Sequence, residues 1–467
     1  MFRRLACSAL LGALLFPLLG APSAAQTPAA PVLVVGGTPA GVAAAVAAAR
    51  EGTDVTLVAT RRVLGGILTD GMMDQWDLNV APGGAIVQGG LFTEIHAALG
   101  DAFTPDAAAR VFGRLVANEP RIRLVTGARA VSVTTVPSAD GRVVNDVAFA
   151  REDGTRFDVA ASSVIDATDN GDLAAMAGAR YDVGRQDTGI DERMQPVTLM
   201  FTVRGVDWGR IVAGYTRARY GLGGATDRRA WGYAKLLRKY RPLSRDVVVR
   251  DLNLGREPDG GVTVNAINVL GIDGRYPGEI ARARAISERE TPNLIAFLRA
   301  RLPGFESATL SRYADAVYVR ETRHFAGVER LTAGDVWAGK IPADTIGLSS
   351  YPLDLHPVTV SEKLAYAPIR HVYGIPLGAL VPRDMANLIL ASPAISATHI
   401  AAGSARVIPT TIEEGEAAGV AAALAHREHL AFTVLARNAD AVDDVRADLR
   451  KNGTILTYGV TDQRTTL

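Results

Sequence analysis

Short apolar runs closed by glycine turns set the pattern of the first part of the chain. Val32-Leu-Val-Val35 is apolar at every position, as a strand buried on both faces reads. Gly36-Gly-Thr-Pro-Ala-Gly41 follows, and then Val42–Arg50, rich in alanine, which predicts a helix. Gly52 stops it, and Asp54–Val58 predicts a second strand. Arg121–Val136 and Arg142–Ala150 are strand-like, with turns at Ala139-Asp-Gly141 and Asp153-Gly154. That spacing predicts a β-meander leading into a strand at Ser163–Ala167. Much later, Asn387–Ala391 reads as a short buried strand, and a helix follows Pro409. Strand, glycine turn, helix and strand in this order predict an α/β fold with a Rossmann-type start.

The turn chemistry suits a dinucleotide. Gly36 permits the tight turn, and Gly37 continues it. Pro39 suits a first helical position, with Ala40 behind it. Gly41, Ala45 and Ala48 keep one helix face small, and the helix N-terminus would point amides at a pyrophosphate. Two positions depart from the ideal. Thr38 stands where a second glycine is expected, and its side chain is expected to crowd the pyrophosphate. Ala59 stands where an acid normally grips the ribose, with Thr60 or water expected to substitute. A second glycine pair lies in Leu64-Gly-Gly-Ile-Leu-Thr-Asp-Gly71. The polar, aromatic Asp74-Gln-Trp-Asp77 beyond it reads either as a surface turn or as a site loop.

Seven motifs in order resemble the FAD-dependent oxidoreductase family, whose distant relatives include fumarate reductase flavoproteins. They are Gly36–Gly41; Gly65–Thr69; Ile86-Val-Gln-Gly-Gly-Leu-Phe-Thr-Glu-Ile95; Val164-Ile-Asp-Ala-Thr-Asp-Asn-Gly-Asp172; Gln195-Pro-Val-Thr-Leu-Met-Phe-Thr-Val203; Val319-Arg-Glu-Thr-Arg323; and Ile395–Val407 with Gly415-Glu-Ala-Ala-Gly419. The resemblance implies a three-layer FAD-binding Rossmann-type domain with a β-meander, carrying an inserted α+β substrate domain. It implies FAD contacts at Gly36, Gly37, Thr38, Pro39, Ala40, Gly41, Gly65, Gly66, Thr69, Ala130, Ala167, Thr168, Asp169, Thr410 and Gly415. Asp169 replaces the family's glycine, Ser392-Pro393 stand for Gly-Arg, and Glu416 for glutamine. With Thr38 and Ala59 these departures leave a second reading open: a non-catalytic binding protein on a diverged flavoprotein fold.

The expected blocks are an export signal at 1–25, a discontinuous FAD-binding domain at 26–190 and 371–430, an insertion at 191–370, and a helical tail at 431–467. Arg3 and Arg4 precede an apolar run, Leu5–Gly20, too short to span a bilayer comfortably, and Ser23-Ala-Ala25 supplies small residues for cleavage. The expectation is a periplasmic or secreted protein with no stable membrane insertion, the arginine pair hinting at folded export. Cleavage would remove Cys7, the single cysteine, and with it any disulfide or cysteinyl flavin bond. A net charge of +1 over 467 residues gives no case for nucleic-acid binding. Between Arg217 and Arg250 ten basic residues face two acidic ones, which reads as a solvated face or as an attractor of anions.

Candidate chemistry gathers near the C-terminal block. Arg406, with amides at Thr410–Thr411, would stabilise negative charge on a reduced flavin. Thr410 and Glu413 read as a capping box. His399 is the expected acid/base, with His324 and His371 behind it. Arg320 and Arg323 would share one side if helical and grip a substrate carboxylate or keto oxygen, or else pair with Glu321. The expected partners are a small-molecule substrate and an electron acceptor that the sequence does not identify. The histidines show no metal-ligand cluster beyond the pair His426 and His429.

Overall fold

The computed structural model describes residues 25–26 and 30–459. The export segment with Arg3, Arg4 and Cys7 lies, apart from Ala25, outside the described residues. The chain opens with β1 (Ala30–Val35), α1 (Pro39–Arg50) and β2 (Val55–Ala59). β3 (Ile122–Thr126) comes next, followed by a meander of β4 (Ala128–Ser138), β5 (Gly141–Arg151) and β6 (Arg156–Val159), and then β7 (Ala161–Asp166). β8 (Leu388–Leu390), α2 (His399–Ala405) and α3 (Ile408–Glu428) return from far along the sequence.

Five strands form a parallel sheet in the order β8-β7-β1-β2-β3. Val32–Val35 are buried because β1 has a strand on each side and α1 and α3 pack against it. The run Arg121–Val136, expected as one strand-like segment, is divided at Gly127, whose φ of 69° ends β3 and starts the meander. β4, β5 and β6 pair antiparallel, and Val147, Phe149 and Val159 join the core of the parallel sheet.

The helix expected at Val42–Arg50 begins earlier, at Pro39, because Thr38 caps it. α3 lies against α1 with almost nothing between the two backbones. A Cβ at Gly415 would stand 2.2 Å from the Ala40 carbonyl oxygen, and one at Gly419 would stand 2.3 Å from that of Ala44. Glycine at both positions lets two helices from opposite ends of the chain lock together.

Between β7 and β8 the chain builds a second sheet of six antiparallel strands. Its central strands are Leu252–Arg256, Val262–Asn265 and Phe201–Arg204. With the long helix Pro277–Arg301 it encloses a separate apolar core that includes Val203, Leu254, Val264, Leu294 and Leu298. Beyond α3, a helix at Ala439–Lys451 buries Val445 and Leu449 in the main core. No helix among the described residues is long and apolar enough to cross a membrane.

Candidate active site

A cavity of about 510 Å³ opens at the carboxyl ends of β1, β2 and β7. This is where open α/β sheets place ligands. Its floor is the turn Gly36–Ala40. Gly36 has φ 125°, and a Cβ there would stand 2.2 Å from the Ala167 carbonyl oxygen, so no other residue fits. The Thr38 hydroxyl donates to the Ala167 carbonyl at 3.0 Å and accepts from the Gly41 amide at 3.0 Å. The hydroxyl is therefore engaged within the protein, while the residue still lines the cavity. Pro39 has no N–H and the Gly41 amide is taken by Thr38, so the Ala40 amide is left for a ligand at this helix end.

The cavity wall continues through Ala59, Thr60 and Arg61 after β2, Gly66 and Asp70, and Ala167–Asn170 after β7. Asp166 organises the last of these. Its carboxylate accepts from the Thr168 amide and hydroxyl and from the Ala174 amide, while burial lifts it to about 6. Asp169 faces the cavity and is also pushed up to about 6, by desolvation and then by Asp172 and Asp70. At the far end the wall is Tyr318, Ser392, Arg406, Ile408 and Thr411.

A second cavity of about 600 Å³ shares Tyr318 and Arg406 with the first. It lies between the Asp74–Asp77 loop, the strands of the inserted sheet, and the segments around Tyr318–Arg320 and Tyr351–His356. The loop left open as surface or site therefore lines a cavity. Arg406 ends α2 and is buried. It donates to the Tyr318 hydroxyl at 2.6 Å and reaches Asp354 Oδ2 at 3.3 Å. Asp354 also stands 3.5 Å from His356 Nε2. Burial works to raise Asp354, but His356 and Arg406 outweigh it and hold the carboxyl well below the usual range. Asp77 is pushed up by burial and by Asp354, and Tyr351 is raised by burial and by Asp77.

The expected site residues divide between these cavities and the protein interior. Gly36, Gly37, Thr38, Pro39, Ala40, Gly66, Ala167, Thr168 and Asp169 line the first cavity; Arg320 lines the second; Arg406 lines both. Gly41 and Gly415 instead serve close packing, against the Gly36 and Ala40 carbonyls respectively. The Gly65 amide donates to the Gly37 carbonyl at 2.8 Å, and the Thr69 hydroxyl to Gly66 at 3.1 Å, so both brace the turn from behind. Ala130 sits half-buried in the meander, and neither cavity includes it. Thr410 is buried against Asn79 and Ser349, and it is Thr411 that reaches the cavity. The proposed capping box does not form, because α3 already starts at Ile408 and Glu413 accepts from Gly89 and Leu348.

Two catalytic expectations are corrected. Residues 320–322 are not helical, and Arg323 turns away from Arg320 to pair with Asp172 at 2.8 Å. His399 lines neither cavity. Its Nδ1 lies 2.6 Å from Glu321 Oε1, the same oxygen that His324 Nε2 meets at 2.8 Å. Those are hydrogen-bond lengths converging on one oxygen. Burial would raise Glu321, yet the two histidines hold it down at about 2. His371 also lines neither cavity. The cavity residues that sequence reasoning missed are Tyr318, Asp354 and His356. They carry no motif; the fold brings Tyr318 and Asp354 to Arg406, and His356 to Asp354.

A nucleotide-sized cavity on a Rossmann turn, backed by a second cavity that holds several charged side chains, defines a dinucleotide-binding enzyme fold. The chain belongs to the FAD dependent oxidoreductase family, whose model matches residues 31–449. It is an oxidoreductase and FAD is its cofactor, as the seven motifs implied. Among solved structures it is similar to p-nitrophenol 4-monooxygenase PnpA from Pseudomonas putida (11% identity, 93% of this chain and 92% of that chain, TM-score 0.45). It is also similar to a geranylgeranyl bacteriochlorophyll reductase-like protein from Thermoplasma acidophilum (14%, 92% and 85%, 0.43). A third similar structure is the flavin-dependent monooxygenase PieE in complex with FAD and substrate (15%, 65% and 52%, 0.34). No curated protein matches the sequence.

The residues present fit FAD. Gly36–Ala40 would hold the pyrophosphate and Thr60 would stand on the ribose side. Arg406 and Thr411 would meet the flavin, and the buried Arg406 Nε has no hydrogen-bond partner in the protein.

Proposed function

We propose that the enzyme transfers a hydride between FAD and a small polar substrate held in the second cavity. One observation carries this reading: Arg406 and Tyr318 form a common wall, so a ligand on either side touches the same two side chains. Bound FAD supplies a two-electron acceptor at that wall. His356 is the acid/base. It lines the second cavity, its Nε2 stands 3.5 Å from Asp354, and Asp354 is itself held by Arg406. In alcohol oxidation the C–H pair leaves as hydride, the O–H proton passes to His356, and a carbonyl forms. Arg406 supplies the fixed positive charge beside the reacting centre. A separate electron acceptor then takes the electrons. The N-terminal pattern of Arg3-Arg4, Leu5–Gly20 and Ser23–Ala25 supports export to the periplasm or beyond.

The test is anaerobic bleaching of the flavin absorption by candidate substrates. His356→Asn is expected to slow bleaching about 100-fold or more while FAD stays bound. Unchanged bleaching in that variant would remove His356 from the mechanism. A protein that takes up no FAD would overturn the whole reading.

A further inference from the structure

We infer that the second cavity takes a polyhydroxylated ligand of monosaccharide size. This rests on the reading of that cavity as the substrate site. Asp74, Asp77 and Asp251 all line the cavity, and among the described residues none of them forms an ion pair. Asp74 is 2% exposed and its Oδ2 has no hydrogen-bond partner. Facing these acceptors are Arg320 and Arg406, both buried and both on the cavity wall. Arg320 gives one Nη to the Pro196 carbonyl and the Thr198 hydroxyl and forms no ion pair among the described residues.

Acceptors and donors thus line one space, beside apolar Met73, Leu78, Val80 and Met200. An aromatic or aliphatic substrate would strip water from these groups and return nothing, at several kcal/mol for each charge. A carboxylate would satisfy the arginines and be repelled by the aspartates, and an amine would do the reverse. A hydroxyl both donates and accepts, so a neutral polyol satisfies both sets at once. Trp231, 38% exposed and lining the same cavity, offers an apolar face for the C–H side of a sugar ring. Burial, with Glu257 nearby, lifts Asp74 to about 7, and burial with Asp354 raises Asp77 and Asp251.

The test separates binding from chemistry. The FAD-loaded full chain is titrated with D-glucose, myo-inositol, D-glucuronate, glucosamine and phenol, read by tryptophan fluorescence and calorimetry. Flavin bleaching is followed in parallel. Saturable binding of a neutral polyol, at least tenfold tighter than phenol and glucosamine, is the expected result. Asp77→Asn and Arg320→Lys, each checked for native thermal unfolding, are expected to weaken it at least tenfold. Preference for phenol or amine, no polyol binding, or polyol binding untouched by both folded variants would overturn the inference. A polyol that binds but never bleaches the flavin supports this ligand class while overturning the hydride-transfer reading. Bleaching by phenol alone does the opposite.

Discussion

Replacing Thr38 with glycine restores the residue that the dinucleotide pattern leads one to expect, and the structure says the protein will be worse for it. The Thr38 hydroxyl caps α1 through the Gly41 amide and fastens the turn to β7 through the Ala167 carbonyl, each at 3.0 Å. Losing the buried bond to Ala167 costs about 1 kcal/mol. Freeing the chain at a new glycine costs roughly 0.5–1 kcal/mol, and exchanging a threonine cap for glycine adds a few tenths. Together these predict about 2 kcal/mol less stability. Equilibrium urea unfolding of FAD-free protein measures it, with Thr38→Ser, which keeps the hydroxyl, expected within about 0.5 kcal/mol of the parent. FAD affinity, followed by quenching of flavin fluorescence, should not improve in the glycine variant. Equal stability together with tighter FAD binding would refute the reasoning, because it would mean that the side chain obstructs the cofactor after all.

Three further outcomes follow from the same geometry. Asp169 sits at about 6 on the cofactor cavity, and FAD brings negative phosphates, so the protonated carboxyl binds it better; Kd should rise above pH 6 by up to about tenfold per unit, and Asp169→Asn should flatten that dependence. Gly415→Ala should cost roughly 1–3 kcal/mol in thermal stability, since the new methyl meets the Ala40 carbonyl, and Gly415→Val should not yield folded protein on gel filtration. Glu321→Gln should lose on the order of 3 kcal/mol at neutral pH by unpairing two buried histidines. Because the folded carboxyl is depressed to about 2, its contribution is complete above its unfolded pKa and fades as pH falls through 2. The gap between parent and variant in unfolding midpoint should therefore narrow with acid.

The cofactor half was legible because its constraints are local. A positive φ at Gly36, a proline at the first helical turn and an apolar β1 each leave a mark on neighbouring residues. The substrate half was not, because its chemistry is assembled from distant segments. Asp77, Arg229, Arg320 and His356 line one cavity yet share no spacing or period. His399 misled for a related reason. A histidine near a cofactor segment looks catalytic until Glu321, 78 positions away, is seen to bind it. Thr410 and Glu413 matched a capping box in spacing, but α3 starts at Ile408, with Val407 in the N-cap position and no side-chain cap. The basic run Arg217–Arg250 is neither one solvated helix nor one anion site; Arg229 and Arg250 face the cavity and Arg217 sits on an exposed short helix.

The interlocked helices α1 and α3 also set a schedule for synthesis. Gly36–Ala40 leave the ribosome early, but Arg406, Ile408 and Thr411, which finish the same cavity, come near the end, and α1 meets α3 only then. A nascent chain therefore has no place to keep FAD until almost all of it has been made. If the chain crosses a membrane unfolded, loading must wait for the far side. If it crosses folded, loading is complete before departure, and flavin in the pool that has not yet crossed would mark that route.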